Sequence, residues 1–493
     1  MLRHLFFPVA VAAVLSLLYP HVAAEPAPRG DDDERPIAPR VMIVSMVSSL
    51  HTPSTSFEEH VLTVGHQWEP EAQVWYDRFP SSDLGNLTKR QIPVAGLSMI
   101  FPTVACTWDR RVCQMTVGEG EVNAATSMAA LVFSDKFDLR RTYFLLAGIA
   151  GVNPRKATLG SVALARYAVQ VALQYEIDPR SLPDDWSTGY FAYGTDHPDD
   201  YPTITYGTEV FELNADLRDF AYQHAANATM ADSDGPAQYR ARYNPEKMDR
   251  PKRKRSGEGD VEDESDEKDD SAIIQEYKAA SGPPSVVKCD SATSDVYYSG
   301  TRLAEAFENT TALWTNGTGE YCMTAQEDNA ILEVMVRGDI ERRVDFQRIV
   351  LMRSGKPAAH TASQRSQAHP STSPGSNFDR PPPDLSDLEH LTYTDQNGFS
   401  IAIENLFNAG MPVIREIIND WECTFRDGIP AQNYVGDIFG SLGGDPDFGL
   451  GSITDGERVQ SGGGHGGSDG GDGHEKKSRR GAWRGAAHYM RRF

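Results

Sequence analysis

Between residues 41 and 147 the chain alternates short buried-strand runs with a helical repeat, and this alternation restricts the fold more than any other feature. VMIVSMV at 41–47 is an apolar, β-branched run bounded by Pro39 and Ser48, suited to a central parallel strand covered on both faces. Residues 112–117 form a second such run. Residues 123–135 then have helical spacing, with Ala125, Met128, Ala129 and Val132 on one face. Residues 142–147 return to a strand. A β-loop-α-β succession needs right-handed crossovers, so the expected class is α/β, a single three-layer domain with a mixed central sheet and flanking helices.

Further along, GSVALARYAVQVAL from Gly160 is strand-like and 178–206 is polar and turn-rich. Residues 209–225, LAEAFENTTALW, 323–337 and 399–420 read as helices. Two stretches interrupt the pattern. At about 231–272, Lys252-Arg253-Lys254-Arg255 precedes an acidic run over 258–270; this reads as a solvated, disordered loop or as a site for a dibasic-cleaving protease. At 356–375, KPAAHTASQRSQAHPSTSPG has no periodicity; a retained intron and a genuine low-complexity loop both fit, and cDNA across codons 350 to 380 separates them. From Ser452 the chain is rich in Gly, His and Ser, and 452–493 reads as a disordered tail.

Arg3 and His4 precede an apolar run at 5–18, then Pro20 and Val22-Ala23-Ala24, the pattern of a secretory signal over 1–24, with 25–39 as a linker. No later window has the roughly 20 apolar residues of a membrane span. The expectation is a secreted or cell-surface glycoprotein with sequons at Asn86, Asn227, Asn309 and Asn316. Of five cysteines, Cys106 and Cys113 bracket a tight hairpin and suit a local disulfide; none has zinc-ligand spacing, and no metal or organic cofactor is implied. A net charge of −23 argues against nucleic acid as a partner.

Gly118-Glu119-Gly120 lies between a predicted strand and a predicted helix, where glycines allow close backbone approach and free N–H groups favour an anion or a ribosyl oxygen. Three stretches, TVGEGEVNAATSMA (116–129), LLAGIAGVNPRKATLGSVALA (145–165) and MTAQEDNAIL (323–332), resemble in order the nucleoside-binding signature of the nucleoside phosphorylase superfamily. With PRVMIVSMVSSL near the start and SNFDRP at 376–381, the chain most resembles the fungal purine nucleoside permease family. That resemblance implies the phosphorylase-like fold over about 40–451, purine nucleosides (adenosine, guanosine or inosine) as ligands, and a homo-oligomer.

It also assigns roles residue by residue. Gly118 and Gly120 approach the nucleoside, and Ala150 and Gly151 form a turn beside the base. Tyr297 stacks on the base. Glu327 accepts the ribose hydroxyls, with Asp328 as runner-up and an ordinary acidic first helical turn as the plainer reading. Asn377 falls where the superfamily places an acid toward purine N7. Asparagine can hydrogen-bond N7 but cannot protonate it, so Asp379 becomes the alternative acid, unless Asp379 and Arg380 are only a surface ion pair. No trio of arginines for phosphate is evident, since Arg40, Arg78 and Arg90 are scattered. The sequence thus leans toward hydrolysis, or binding that serves uptake, over phosphorolysis.

Overall fold

A computed structural model describes residues 35–46, 70–244, 274–355, 378–446 and 448. The expected signal, both inserted segments' cores and the tail lie outside those residues. Seven strands carry the architecture: β1 Val41–Ser45, β2 Val112–Thr116, β3 Tyr143–Val152, β4 Tyr167–Gln170, β5 Asp290–Thr293, β6 Tyr321–Ala325 and β7 Ile349–Gly355. Five helices flank them: α1 Pro70–Arg78, α2 Glu121–Val132, α3 Ala215–Ala225, α4 Asp328–Ile340 and α5 Phe399–Asn419.

Every residue of β1 is buried, as its unbroken apolar run requires, because helices cover both faces of the sheet. On one face α2 and α4 contribute Met128, Leu131, Ile331 and Met335 to a core with Met42, Val44 and Leu146. On the other, α1, α3 and α5 bring Trp75, Leu217, Leu406 and Ile414 against Val41, Ile43 and Leu145. The sheet is mixed, as expected, and the class is α/β.

β3 is the hinge of the topology. Its first half pairs in parallel with β1 (Val44 opposite Leu146), and most of its length pairs in parallel with β7 (Arg353 opposite Gly148, Gly355 opposite Ala150). Its tip pairs antiparallel with β6, Thr324 opposite Gly151 and Met323 opposite Val152. β6 then runs parallel to β5, and β5 parallel to β4. Because β6 opposes the tip of β3, the residues after Ala325 return toward Gly148 and Ile149.

Several expectations need correction. Ala147 to Gly151 is no turn: β3 runs through to Val152 because β7 and β6 supply ladder partners for Ala150 and Gly151. Residues 209–225 and 323–337 each begin as strands, Val210–Glu212 and β6, and only then turn helical. The α3 start is fixed by Asn214, whose side chain accepts from the Leu217 N–H at 3.0 Å. The buried face of α2 is Ala124, Ser127, Met128, Leu131 and Val132, so Ala125 and Ala129 sit at its margin. Residues Asp234–Ala241 form a helix with Tyr239 buried, and Tyr243 just after it is buried too, so the charged insertion begins later than 231. Ile37 bridges Phe137, which places the last linker residues in the fold. Cys106 and Cys113 are joined as expected; Cys289 and Cys322 also pair, leaving Cys423 free and exposed.

Candidate functional site

The C-terminal ends of β1, β2, β5, β6 and β7 converge, the position at which open α/β sheets present ligands. After β2 the chain makes two left-handed residues, Gly118 at φ 94° and Gly120 at φ 83°, before entering α2. A side chain would strain both positions, and at Gly118 a Cβ would lie 3.1 Å from Asn123. The Gly120 N–H donates to Glu327 Oε1 at 3.1 Å, joining the loop after β2 to the loop after β6.

Glu327 is only 4% exposed and Asp328 fully buried. Buried carboxylates need a cation or donors, and Arg353 near the end of β7 provides both. Its Nε donates to Asp328 Oδ1 at 3.0 Å and Oδ2 at 3.2 Å, its Nη2 to Glu327 Oε2 at 3.2 Å and to Asp328, and its Nη1 to the Ile149 carbonyl at 3.2 Å. Ser291 of β5 donates to Asp328 Oδ2 at 2.6 Å. Burial pushes the Glu327 carboxyl above the ordinary glutamate range, with Arg353 opposing. For Arg353, burial works against the charge but Asp328 and Glu327 outweigh it, so its proton is held more tightly than usual.

Room for this guanidinium comes from Gly148. A Cβ there would collide with Arg353 Nη1 and stand 2.7 Å from Met46 Sδ and 3.2 Å from Arg353 Cζ. A third buried carboxylate belongs to α1: Glu71, 1% exposed, accepts the Ile149 N–H at 3.1 Å and acts electrostatically on both Arg353 and Tyr297. At the ends of β1 and β7, the Ser45 and Ser354 hydroxyls are buried without a hydrogen-bond partner among the described residues.

At the rim, the Tyr297 hydroxyl donates to Glu119 Oε1 at 3.0 Å and Gln326 Oε1 at 2.8 Å. Burial, then Glu119 and Glu327, raises its pKa above that of an ordinary tyrosine. Glu121 bonds Gln170, and its N–H donates to Asp295 Oδ1 at 3.1 Å. Burial and then Asp295 push its carboxyl up to about 6.

The structure therefore brings Gly118, Gly120, Tyr297, Glu327 and Asp328 together. Ala150 and Gly151 sit in the adjoining ladder, their backbones engaged with β7 and β6. Asn377 lies outside the described residues. Asp379 is elsewhere: its N–H donates to the Val152 carbonyl, and its carboxylate pairs with Arg380 Nε at 2.8 Å and accepts the Tyr321 hydroxyl at 2.7 Å. Tyr321 begins β6, about 16 Å of extended strand from Gln326 at ~3.3 Å per residue. With Asp379 3% and Arg380 0% exposed, the pair is a buried brace, not a surface ion pair. Sequence reasoning missed Arg353 and Glu71. A lone arginine ending the apolar run IVLMR was a usable signal for the first; Glu71 is indistinguishable in sequence from any first-turn acid.

A model of the purine nucleoside permease family matches residues 38–373 and 371–430. A purine nucleoside permease of Candida albicans is 41% identical over 364 residues, covering 73% of this chain and 77% of that protein. A probable purine nucleoside permease of Schizosaccharomyces pombe is 33% identical over 420 residues, covering 83% and 97%. Among solved structures, a 5'-methylthioadenosine/S-adenosylhomocysteine nucleosidase from Neisseria meningitidis matches at 12% identity and TM-score 0.35, covering 77% of this chain and 99% of that one. A futalosine hydrolase of Helicobacter pylori matches at 10% and 0.35, covering 77% and 98%. Among the described residues no helix is long and apolar enough to cross a membrane.

Proposed function

Since the chain belongs to the purine nucleoside permease family, we propose that it is a secreted purine nucleoside-binding protein that supports nucleoside uptake and cleaves the N-glycosidic bond with water. The observation that carries the binding half is Glu327, a buried carboxylate held between the Gly120 N–H and Arg353 where the strand ends converge. Such a group accepts from both ribose hydroxyls. Gly118 and Gly120 let the backbone approach the sugar, the Tyr297 ring lies against the base, and the buried Ser45 and Ser354 hydroxyls, without a hydrogen-bond partner among the described residues, can serve polar groups of the ligand.

Two observations favour water over phosphate. Among the described residues of the cluster Arg353 is the one cation, and Glu327, Asp328 and the Ile149 carbonyl already occupy it. Residues 47–69, which connect β1 to α1, contain no Lys or Arg. Glu71 is the candidate base: it takes a proton from water as the oxygen bonds to C1′, the C–N bonding electrons leave with the purine, which takes a proton from solvent, and Glu71 afterwards returns its own proton to solvent. Asn377, by its place in the family motif, hydrogen-bonds the leaving base.

The test incubates purified protein with adenosine, guanosine or inosine, with and without phosphate, and follows free base by chromatography. Release without phosphate is expected, abolished in Glu71→Gln with nucleoside binding retained. Release only with phosphate overturns hydrolysis, and tight binding without release leaves a carrier. By calorimetry, Glu327→Gln weakens nucleoside binding by roughly 10- to 100-fold, the ~1.5–3 kcal/mol of a charged hydrogen bond, and spares free base, which lacks the diol. Equal losses for both ligands give Glu327 a structural role instead.

A further inference from the structure

The opposite end of the sheet, where β1, β3 and β7 begin, holds a second cleft of about 710 Å³. Arg40, Arg140, Arg141, Arg348 and Arg426 line it, with Asp138 and Asp427. Arg348, with 6% of its side chain exposed, is the frame. It pairs with Asp345 at 2.9 Å and donates to the carbonyls of Phe425 at 2.6 Å, Arg426 at 3.2 Å and Arg141 at 3.4 Å, fixing both walls. The remaining arginines are unequally satisfied. Arg140 is paired with Asp138 and Arg426 with Glu422. Arg141 is exposed and acts electrostatically on Asp138, with no side-chain hydrogen bond or salt bridge among the described residues. Among the described residues Arg40, three-quarters buried and stacked 5.0 Å from the Trp421 ring centre, donates to the Ile418 carbonyl at 3.3 Å and to Glu422 at 3.4 Å. Burial and then neighbouring Arg111 work against its charge, with Glu422 and Asp109 opposing them.

Guanidinium groups with donors left over that line one cleft, in a chain of formal charge −23, are a binding arrangement for a multivalent anion. We infer that this cleft binds a phosphate-type dianion through Arg40 and Arg141, at a site separate from the nucleoside pocket. Arg348, immediately before β7, and Arg353, near its far end, are about 17 Å apart at ~3.3 Å per residue. The cleft has room for more than one phosphate group, so pyrophosphate, a phosphomonoester or a phospholipid headgroup would supply the same chemistry.

The full-length protein is titrated calorimetrically with inorganic pyrophosphate at low ionic strength, and sedimented with phosphatidylcholine vesicles with and without phosphatidylserine. Saturable pyrophosphate binding is expected. It should weaken about tenfold in Arg141→Ser and in Arg40→Gln, the size of one lost charge-assisted hydrogen bond. Arg180→Ser, an exposed arginine paired with Asp178 elsewhere, should leave it unchanged. Nucleoside affinity, which reports folding and the separate pocket, should hold in all three variants. Vesicle binding that needs phosphatidylserine and is lost in Arg141→Ser, without pyrophosphate binding, supports the site with a lipid source. Binding of neither probe, or binding indifferent to both Arg40→Gln and Arg141→Ser, overturns the inference.

Discussion

Replacing Arg353 with Met probes the centre of the site, because it keeps most of the side-chain volume and removes the charge. Asp328 then keeps the Ser291 hydroxyl at 2.6 Å and Glu327 keeps the Gly120 N–H at 3.1 Å, but no cation faces them. Removing one partner of a buried ion pair costs about 3–5 kcal/mol, a large part of the ~5–15 kcal/mol of a typical domain. The loss should depend on pH. Glu327 is already pushed up by burial and restrained by Arg353, so without the arginine its folded pKa rises further above the unfolded glutamate value of about 4.3. A carboxyl raised on folding contributes stability that is fully present below the unfolded pKa and lost as pH rises through the folded pKa. The deficit of Arg353→Met relative to the unaltered protein should therefore be smallest near pH 4.5 and widen toward pH 8. Urea unfolding across that range measures it, with Arg353→Lys expected to recover part of the loss. A deficit under about 1 kcal/mol at pH 8, or one constant with pH, would refute the reasoning that Arg353 neutralises a buried carboxylate pair.

Gly148→Ala should force the Arg353 guanidinium aside and cost about 1–3 kcal/mol in urea unfolding, with weaker nucleoside binding. Gly282→Ala, whose Cβ meets nothing nearer than 3.5 Å, should stay within about 0.5 kcal/mol. Glu121, raised to about 6, contributes stability that is present below its unfolded pKa and lost as pH rises through about 6. Glu121→Gln should accordingly gain on the unaltered protein between pH 4.5 and 7.5 in thermal melts, and a difference that does not change with pH contradicts the reading.

What the chain settles by itself is local and apolar. The buried run of β1 demanded helices on both faces, and the Cys106 and Cys113 spacing carried its own hairpin. Family membership was likewise readable, because it rests on motifs each contiguous in sequence. The helical repeats were also legible, although the face of α2 and the strand starts at Val210–Glu212 and β6 were not; short apolar runs fit strand or helix until ladder partners decide. Gly118, Gly120, Glu327 and Asp328 could be nominated from sequence. Their convergence could not, since it depends on β6 running antiparallel to the tip of β3 and carrying Glu327 back toward Gly148. Only that topology sets Arg353 between two carboxylates, draws in Glu71 from a helix on another layer, and removes Asp379 to a buried brace. Spacing along a chain fixes which face a residue occupies, whereas strand order and direction fix which faces meet; those follow from packing the whole sheet.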